Sequence, residues 1–458
     1  MNDFNSMTIL IIFGISGNLS QKKVLPALYA LYSNNLLPKN FKIIGLSRRE
    51  ITIDQIFANS DVPKHNQSQY DDFKKIFQIQ QFDSSDNQAY KNLYQKLQTI
   101  INNQSLKLNL LFYLSIPPEI FGTIITKLGS NKLNQFNDSI QTRLLVEKPF
   151  GHDLTSAQQL IKLTNQYFVD QQIFRIDHYL AKETVQNILI FRRYNPLFQT
   201  AWNNQHIASI EINTLESIDI EGRVDFYEHT GALRDQIQSH LFQLLTVTTM
   251  TLPTDLNDND SIHLARHSLL ANIQPMNNQK TLAANTFRAQ YEGYKEEVNN
   301  LNSTTETFAS IQLEIQNSIW KGVPIRLTTG KALNEKKSEI IINFSAVNEQ
   351  HTNQLTFRLQ PNEGIDICLS VKKPGLDQKI QTTTMDFSYK NSFSHHYQPD
   401  PYEKVLLDSF RGDNNLFATS NEIIDSWRIL QPIIDYWQNH PENLKQYPKG
   451  KAKQGILC

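Results

Sequence analysis

The densest group of reactive side chains lies in nine consecutive residues, RIDHYLAKE, at 175–183. Val185 and Ile188 follow at helical spacing, so we expect Lys182 in the first turn of a helix, where a cation opposes the helix dipole. A phosphate dianion bound at that helix terminus would offset this repulsion. Its side-chain donors would be His178, Tyr179 and Lys182. A helix cap by Asp177 beside a structural histidine is the alternative.

Two further segments combine charged and polar side chains. In 231–241, GALRDQIQSHL, His240 lies at the edge of a helical apolar stripe that includes Leu233 and Ile237. An imidazole there can be a general base or a packed core residue. The second segment, GKALNEKK at 330–337, has the composition of a charged, exposed stretch.

An anion site is also suggested at the N-terminus. The apolar run Met7–Phe13 has the pattern of a buried strand, and GISGNL follows at 14–19 before helical periodicity at 20–33. A glycine turn between strand and helix can present backbone N–H groups to a phosphate. Only the first fingerprint glycine is present, because Ser16 and Leu19 occupy the other two positions. An ordinary tight turn is the alternative.

The end of the second expected strand bears on the choice of cofactor. Arg48 and Arg49 follow the run Lys42–Leu46, where an NAD enzyme would offer a carboxylate to the ribose hydroxyls. Arginine suits a 2′-phosphate, so the pair favours NADP over NAD. A solvated basic corner is the alternative.

The order of the elements predicts the fold class. Strand-like runs at 7–13, 42–46, 110–115 and 143–146 alternate with helical segments, which indicates a mostly parallel sheet. Beyond about residue 205, alternation at 208–214 and strands near 307–315 and 354–359 favour antiparallel pairing. We therefore expect a Rossmann-like dinucleotide-binding domain, 1–180, followed by an α+β domain with a large, mainly antiparallel sheet, 181–458.

The composition excludes several classes of protein. Of 458 residues, 44 are basic and 45 acidic, so no overall field favours nucleic acid or an anionic membrane. No apolar stretch approaches a transmembrane span. The two cysteines lack metal-ligand spacing, and the expected location is cytoplasmic.

Taken together, the motifs closely resemble the glucose-6-phosphate dehydrogenase family. That family carries GASGDLA, EKPFG, RIDHYLGKE, GALRD-x-x-QNH, GKALNE and QPNE in this order. Here they occur as GISGNLS, EKPFG, RIDHYLAKE, GALRDQIQSH, GKALNE and QPNE, and the similarity extends from Ile9 to about Pro432. RIDHYL followed by Lys-Glu is the most specific of these motifs.

The resemblance implies an enzyme that oxidises C1 of glucose 6-phosphate to the lactone and passes hydride to NADP, with no metal, as a homodimer or homotetramer. His240 matches the general base and Asp177 the carboxylate that orients it; Lys148-Pro149 is an expected cis peptide. The implied substrate contacts are His178, Tyr179, Lys182, Lys148, Glu216, Asp235, Lys331, Lys336 and Gln360. The implied cofactor contacts are Gly14, Ser16, Gly17, Asn18, Leu19, Arg48, Asp83, Ser84 and Lys148.

Departures from the family pattern within these motifs include Asn18 in place of an aspartate, Ser20 of an alanine, Ala181 of a glycine and Ser239 of an asparagine. Ala181 would strain its loop only if the backbone φ there is positive. Two alternatives are a noncatalytic relative that binds NADP(H) and a dehydrogenase of another sugar phosphate. Retention of Asp177, Lys148 and His240 argues against a noncatalytic binder, which would not need all three. The set His178, Tyr179 and Lys182 has little use without a phosphate, so any alternative substrate would also be a sugar phosphate.

Overall fold

The computed structural model describes residues 7–102, 107–137, 140–346 and 352–457. The chain forms two compact units. The first comprises 1–151, 155–181 and 399–420, and the second comprises 152–154, 182–398 and 421–458. The division into domains 1–180 and 181–458 stays a prediction, and the compact units differ from it mainly because 399–420 returns to the first unit.

Strands β1 to β16, numbered along the described part of the chain, are Met7–Phe13, Asn40–Ser47, Phe77–Gln81, Leu108–Leu114, Ile140–Glu147, Ile173–Ile176, Ile207–Leu215, Thr286–Tyr291, Phe308–Leu313, Ile325–Gly330, Lys337–Phe344, Gln354–Gln360, Gly364–Lys372, Ile380–Ser388, Phe417–Ala418 and Lys445–Tyr447. Helices α1 to α17 are Leu25–Ser33, Ile53–Ala58, Gln67–Lys74, Asn87–Asn102, Phe121–Ser130, Leu154–Asn165, Glu183–Tyr194, Pro196–Gln199, Val224–Ala232, Phe242–Thr249, Asn259–Ala271, Gln279–Asn285, Tyr294–Glu297, Tyr389–Ser392, Pro401–Arg411, Ser420–Asn439 and Lys453–Leu457. π-helical segments cover Ser20–Val24 and Leu233–Leu241.

The first unit contains a seven-stranded sheet in the order β15-β6-β5-β4-β1-β2-β3. Strands β1 to β6 are parallel and follow the order 3-2-1-4-5-6 of doubly wound dinucleotide-binding folds. Strand β1 is buried at all seven positions, as its unbroken apolar run predicts. The Rossmann-like fold expected for this part of the chain is therefore confirmed.

The segment that returns to the first unit adds the last strand of that sheet. Helix α15 precedes β15, which pairs antiparallel with β6. The Arg143 guanidinium, on β5, donates to the carbonyl oxygens of Ser409 and Phe410 at 3.1 and 3.3 Å. These contacts fix the end of α15 against the sheet, since charged donors form the stronger hydrogen bonds.

The second unit contains a nine-stranded sheet in the order β14-β13-β12-β11-β7-β10-β9-β8-β16. Pairing is antiparallel except between β10 and β7 and between β16 and β8. The large, mainly antiparallel sheet expected from the sequence is confirmed. The expected strands near 208–214, 307–315 and 354–359 are β7, β9 and β12. In the described residues, no helix has the length and apolarity to cross a membrane.

Candidate active site

The N-terminal turn requires glycine at its first position. Gly14 follows β1 with a φ of 81°, and a Cβ there would lie 2.2 Å from the carbonyl oxygen of Ser115. The Gly14 N–H donates to Leu46 of β2 at 3.1 Å, and Gly17 N–H donates back to Gly14 at 2.9 Å. The turn is therefore tied to the ends of two neighbouring strands.

Ser16 and Leu19 occupy the second and third glycine positions of the fingerprint, and the turn has room for both side chains. Ser16 is exposed, and its hydroxyl lies 3.3 Å from that of Ser47 at the end of β2. Leu19 packs on the apolar core of the first unit. Asn18 is exposed in the first helical turn, so no buried contact depends on the aspartate that it replaces.

A cavity of about 580 Å³ lies beside this turn in the first unit. Arg48 and Arg49 both line it and are exposed, and neither guanidinium has a hydrogen bond or ion pair within the described residues. The set of donors fits the anionic end of a dinucleotide, since arginine recognises phosphate bidentately. The lining residues are Ser16, Gln21, Ser47, Arg48, Arg49, Glu50, Ile51, Gln55 and Asn59.

Asp83 and Ser84 follow β3 at the same edge of the sheet. The Asp83 carboxylate accepts from the backbone and hydroxyl of Ser85 at 2.8 and 2.7 Å, and these bonds lower the pKa of Asp83. The Ser84 carbonyl accepts from Tyr90. Both residues are thus engaged in their own turn, and a cofactor contact for them stays a prediction.

Lys148 follows a buried carboxylate at the end of β5, and Lys148-Pro149 is cis as expected. Tyr113 donates to Glu147 at 2.6 Å, and Tyr402 of α15 makes a second hydrogen bond to the same carboxyl group. Burial raises the pKa of Glu147 to about 7, although the two tyrosines and Lys148 lower it. Asp177 also acts on this carboxyl group, and its negative charge raises the pKa.

The residues after β6 form a tight turn. The buried Asp177 accepts from the backbone N–H of Tyr179 at 3.0 Å. His178 lies beside Tyr179, with ring centroids 5.2 Å apart, and stacks on Tyr402 at 6.2 Å with an interplanar angle of 16°. Ala181 is not among the described residues with positive φ, so replacing glycine there introduces no backbone strain.

In the second unit, Lys182 is the N-cap residue of α7, close to the expected first turn. Its ammonium donates to the Gln360 side chain at 2.9 Å, at the end of β12. Two residues expected to contact substrate are therefore neighbours although 178 positions separate them in sequence.

His240 lies on a π-helical segment, where the apolar stripe predicted an ordinary helix. A π-helix bonds residues five apart, so Asp235 and His240 come to the same side of Leu233–Leu241. Both side chains are buried. The segment begins at a kink at Gly231, whose φ is 67°, and Glu306 accepts from the Leu233 N–H at 2.9 Å. Ser239 donates to the Asp235 carbonyl, within the helix.

The GKALNEKK segment corrects an expectation. Lys331 is only 2% exposed and forms an ion pair with Glu216, although the composition suggested an exposed stretch. Its ammonium also lies 5.3 Å from the centroid of the Tyr227 ring. Lys336, by contrast, is exposed and has no hydrogen bond or ion pair in the part of the chain described. The structure thus brings Lys331 and Glu216 together and leaves Lys336 at the surface.

Comparison with known proteins decides the family. Models of the glucose-6-phosphate dehydrogenase NAD-binding and C-terminal domains match 11–187 and 189–454. The chain belongs to the glucose-6-phosphate dehydrogenase family. A glucose-6-phosphate 1-dehydrogenase of Caenorhabditis elegans is 35% identical over 98% of this chain and 89% of its own. The glucose-6-phosphate 1-dehydrogenase of Borreliella burgdorferi is 36% identical over 93% of this chain and 91% of its own.

Solved structures of the family agree with this assignment. A glucose-6-phosphate dehydrogenase in complex with its substrate glucose-6-phosphate has a TM-score of 0.91 and 32% identity, covering 99% of this chain and 96% of its own. The glucose-6-phosphate 1-dehydrogenase of Mycobacterium avium has a TM-score of 0.83 and 29% identity, and the match covers 98% of this chain and 95% of its own. The similarity therefore includes both units.

Three residues that were not expected at the site support it. Glu147 precedes the expected Lys148, Tyr402 is contributed by the returning segment, and Glu306 caps the helix of His240. Two local signals mark Glu147: it opens the EKPFG motif, and it is a carboxylate at the buried end of the apolar strand β5, where a charged residue is unusual. Tyr402 and Glu306 lie far from the site in sequence, so their roles depend on the tertiary fold.

The raised pKa of Glu147 predicts a pH-dependent stability. The folded protein holds this proton up to pH of about 7, whereas the unfolded chain releases it near 4.5. Folding therefore loses stability as pH rises between these values, by about 3 kcal/mol at most, and the loss is complete above the folded pKa. Glu147→Gln should remove this component.

Urea unfolding of both proteins at pH 5, 6, 7 and 8 tests the prediction. The variant should gain stability relative to the parent as pH rises, and a difference that is constant with pH would contradict it. Tyr113→Phe is the control. The Tyr113 hydroxyl favours the ionised form of Glu147, so its loss should raise the pKa of Glu147 and extend the loss of stability to higher pH.

Proposed function

We propose that the protein oxidises D-glucose 6-phosphate at C1 to 6-phospho-D-glucono-1,5-lactone and transfers the hydride to NADP, the first step of the oxidative pentose phosphate pathway. The observation that carries the proposal is the similarity, over both units, to a glucose-6-phosphate dehydrogenase in complex with this substrate. The retained side chains support it. By the same resemblance, we infer a cytoplasmic enzyme.

His240 is the proposed general base. It removes the proton of the C1 hydroxyl as the C1 hydrogen leaves with its electron pair, so the alcohol becomes the lactone carbonyl. A neutral imidazole suits this role near neutral pH. Bound NADP supplies the hydride acceptor. Burial of His240 supports the role because it excludes water from the proton transfer. Asp177 stays the proposed partner of that imidazole on the resemblance alone.

The substrate phosphate is proposed to bind His178, Tyr179 and Lys182. Each can donate to a phosphate oxygen, and Lys182 begins a 12-residue helix whose N-terminus favours anions. Gln360 supports Lys182, because its side chain already accepts from that ammonium. The phosphate would thus distinguish this substrate from an unphosphorylated sugar.

The remaining expected contacts are proposed to hold the sugar ring. Glu216 and Asp235 would accept from its hydroxyl groups, and Lys331, which pairs with Glu216, would donate. Lys336 is the least supported of the set because it is exposed. Lys148 is proposed to contact both sugar and cofactor.

For the cofactor, the cavity beside the glycine turn favours NADP over NAD. Two arginines line it, and Glu50 is the only carboxylate among its lining residues. Arg48 would hold the 2′-phosphate, while the backbone of 14–19 would face the pyrophosphate. Asp83 and Ser84 are proposed as weaker contacts. A noncatalytic NADP(H) binder or a dehydrogenase of another sugar phosphate is the alternative outcome of the assays below.

Replacement of the proposed base tests catalysis. His240→Asn should lower kcat by roughly 10²–10⁴-fold because proton removal is lost, while the dissociation constant for glucose 6-phosphate stays within about threefold. Steady-state absorbance at the reduced nicotinamide band and calorimetric titration measure the two quantities. The exposed His229→Asn is the control. A parent enzyme without turnover would favour the noncatalytic reading, and near-parental turnover of His240→Asn would reject the base.

Replacement of Arg48 tests cofactor choice. Arg48→Ala should raise KM for NADP by about 10- to 100-fold, because charge-assisted bonds to the 2′-phosphate are lost, and should change KM for NAD much less. Parallel assays with both cofactors measure the difference. An equal loss with the two cofactors would reject the 2′-phosphate role.

We also infer a homodimer formed through the β13–β14 hairpin. Strand β14 is an edge of the nine-stranded sheet. By the pairing register, four partly or fully exposed apolar side chains share one face of this hairpin: Ile367, Leu369, Val371 and Met385. An exposed edge with an apolar face is a ready template for a second copy.

Light scattering tests this surface. The parent protein should elute as a dimer or a multiple of it, and Met385→Lys should shift the mass toward the monomer because a charge enters the apolar face. Leu301→Lys, at a residue 70% exposed elsewhere, is the matched control. A monomeric parent, or a Met385→Lys variant with unchanged mass at all concentrations, would overturn the proposal.

A further inference from the structure

Tyr402 joins two features of the first unit that the proposed chemistry uses separately. Its ring stacks on His178, a proposed phosphate ligand, and its hydroxyl is bonded to Glu147, which precedes Lys148. The residue is 8% exposed and belongs to the segment that returns to the first unit late in the chain. A tyrosine held at both its ring and its hydroxyl has little freedom to move.

The element that carries Tyr402 is itself well fixed. Asp400 caps α15 by accepting from the Tyr402 N–H at 2.9 Å, and Glu403 completes the cap by bonding back to Asp400. At the other end of the helix, Arg143 binds the last carbonyls. The helix that carries Tyr402 is therefore capped by its own residues at its N-terminus and bonded to strand β5 near its C-terminus.

We propose that Tyr402 is a positioning residue for the substrate phosphate: its ring holds the His178 imidazole in place, and Glu147 holds Tyr402. This inference rests on the proposed role of His178 in phosphate binding. Near-parallel aromatic rings at this separation attract each other, and a ring with an electron-rich face also stabilises an adjacent cationic imidazole. The phenol ring of Tyr402, bonded to a carboxyl group, provides such a face.

The geometry separates this role from general support of the Glu147 carboxyl group. Tyr113 donates to the same carboxyl group, and among the described residues it makes no contact with His178. Removing the Tyr113 hydroxyl therefore perturbs the surroundings of Glu147 but leaves the Tyr402 ring on His178, whereas removing the Tyr402 ring releases His178. Tyr113→Phe is the matched control for Tyr402→Leu, and Tyr402→Phe keeps the ring while removing the hydroxyl.

Steady-state kinetics of the full-length enzyme test the proposal. Tyr402→Leu should raise KM for glucose 6-phosphate about two- to tenfold, the range expected for loss of one aromatic contact, with kcat and KM for NADP within about twofold. Tyr402→Phe should restore most of this loss, and Tyr113→Phe should leave KM within about twofold. An equal rise in KM for Tyr113→Phe would overturn the proposal.

A double-mutant cycle shows whether Tyr402 acts through His178. His178→Gln should raise KM for glucose 6-phosphate, and adding Tyr402→Leu should then change KM by less than twofold, because the ring no longer has an imidazole to hold. Additive effects would reject the inference and leave the phosphate site intact. An unchanged KM in His178→Gln alone would instead reject the phosphate role of His178, so the two failures are distinguishable.

Discussion

Parallel strands end at the same edge of a sheet, and this constraint organises the whole N-terminal unit. The turn at Gly14, the arginine pair after β2 and Lys148 after β5 all follow strands that run in one direction. The turn at Asp177 follows β6 in the same direction. Residues far apart in sequence are therefore delivered to one edge, which is where doubly wound folds bind their ligands. Without the parallel register, these side chains would not form a site.

Buried carboxyl groups then hold the reactive segments in place, one in each unit. Glu147 accepts from tyrosines on two different elements, and its raised pKa is the cost of keeping an acid in an apolar environment. Glu306 accepts from the first turn of the helix that carries His240, and burial raises its pKa as well. Each is tolerated because hydrogen-bond donors surround it. Glu147 opens the EKPFG motif, whereas Glu306 lies outside the motifs that the chain shares with the family.

The departures from the family pattern occur where the fold can accept them. Asn18 faces solvent, and Ala181 has the backbone conformation that any residue adopts. Ser239 satisfies its hydroxyl on a carbonyl of its own helix. Ala332, which the family motif GKALNE shares, has a φ of 50° that is uncommon for a residue with a side chain. It lies directly after Lys331, and the backbone there is held by bonds to neighbouring segments.

The sequence by itself determined the order of the elements and the chemistry available. The unbroken apolar run of β1, the glycine turn and the alternation in β7 each reflect local constraints of burial and backbone geometry, so they can be deduced from a few neighbouring residues. Only the tertiary structure decided three other contacts: the hydrogen bond from Lys182 to Gln360, the ion pair of the buried Lys331, and the stacking of Tyr402 on His178. These contacts join residues more than a hundred positions apart, and their burial depends on strand pairing and helix packing that no local pattern records.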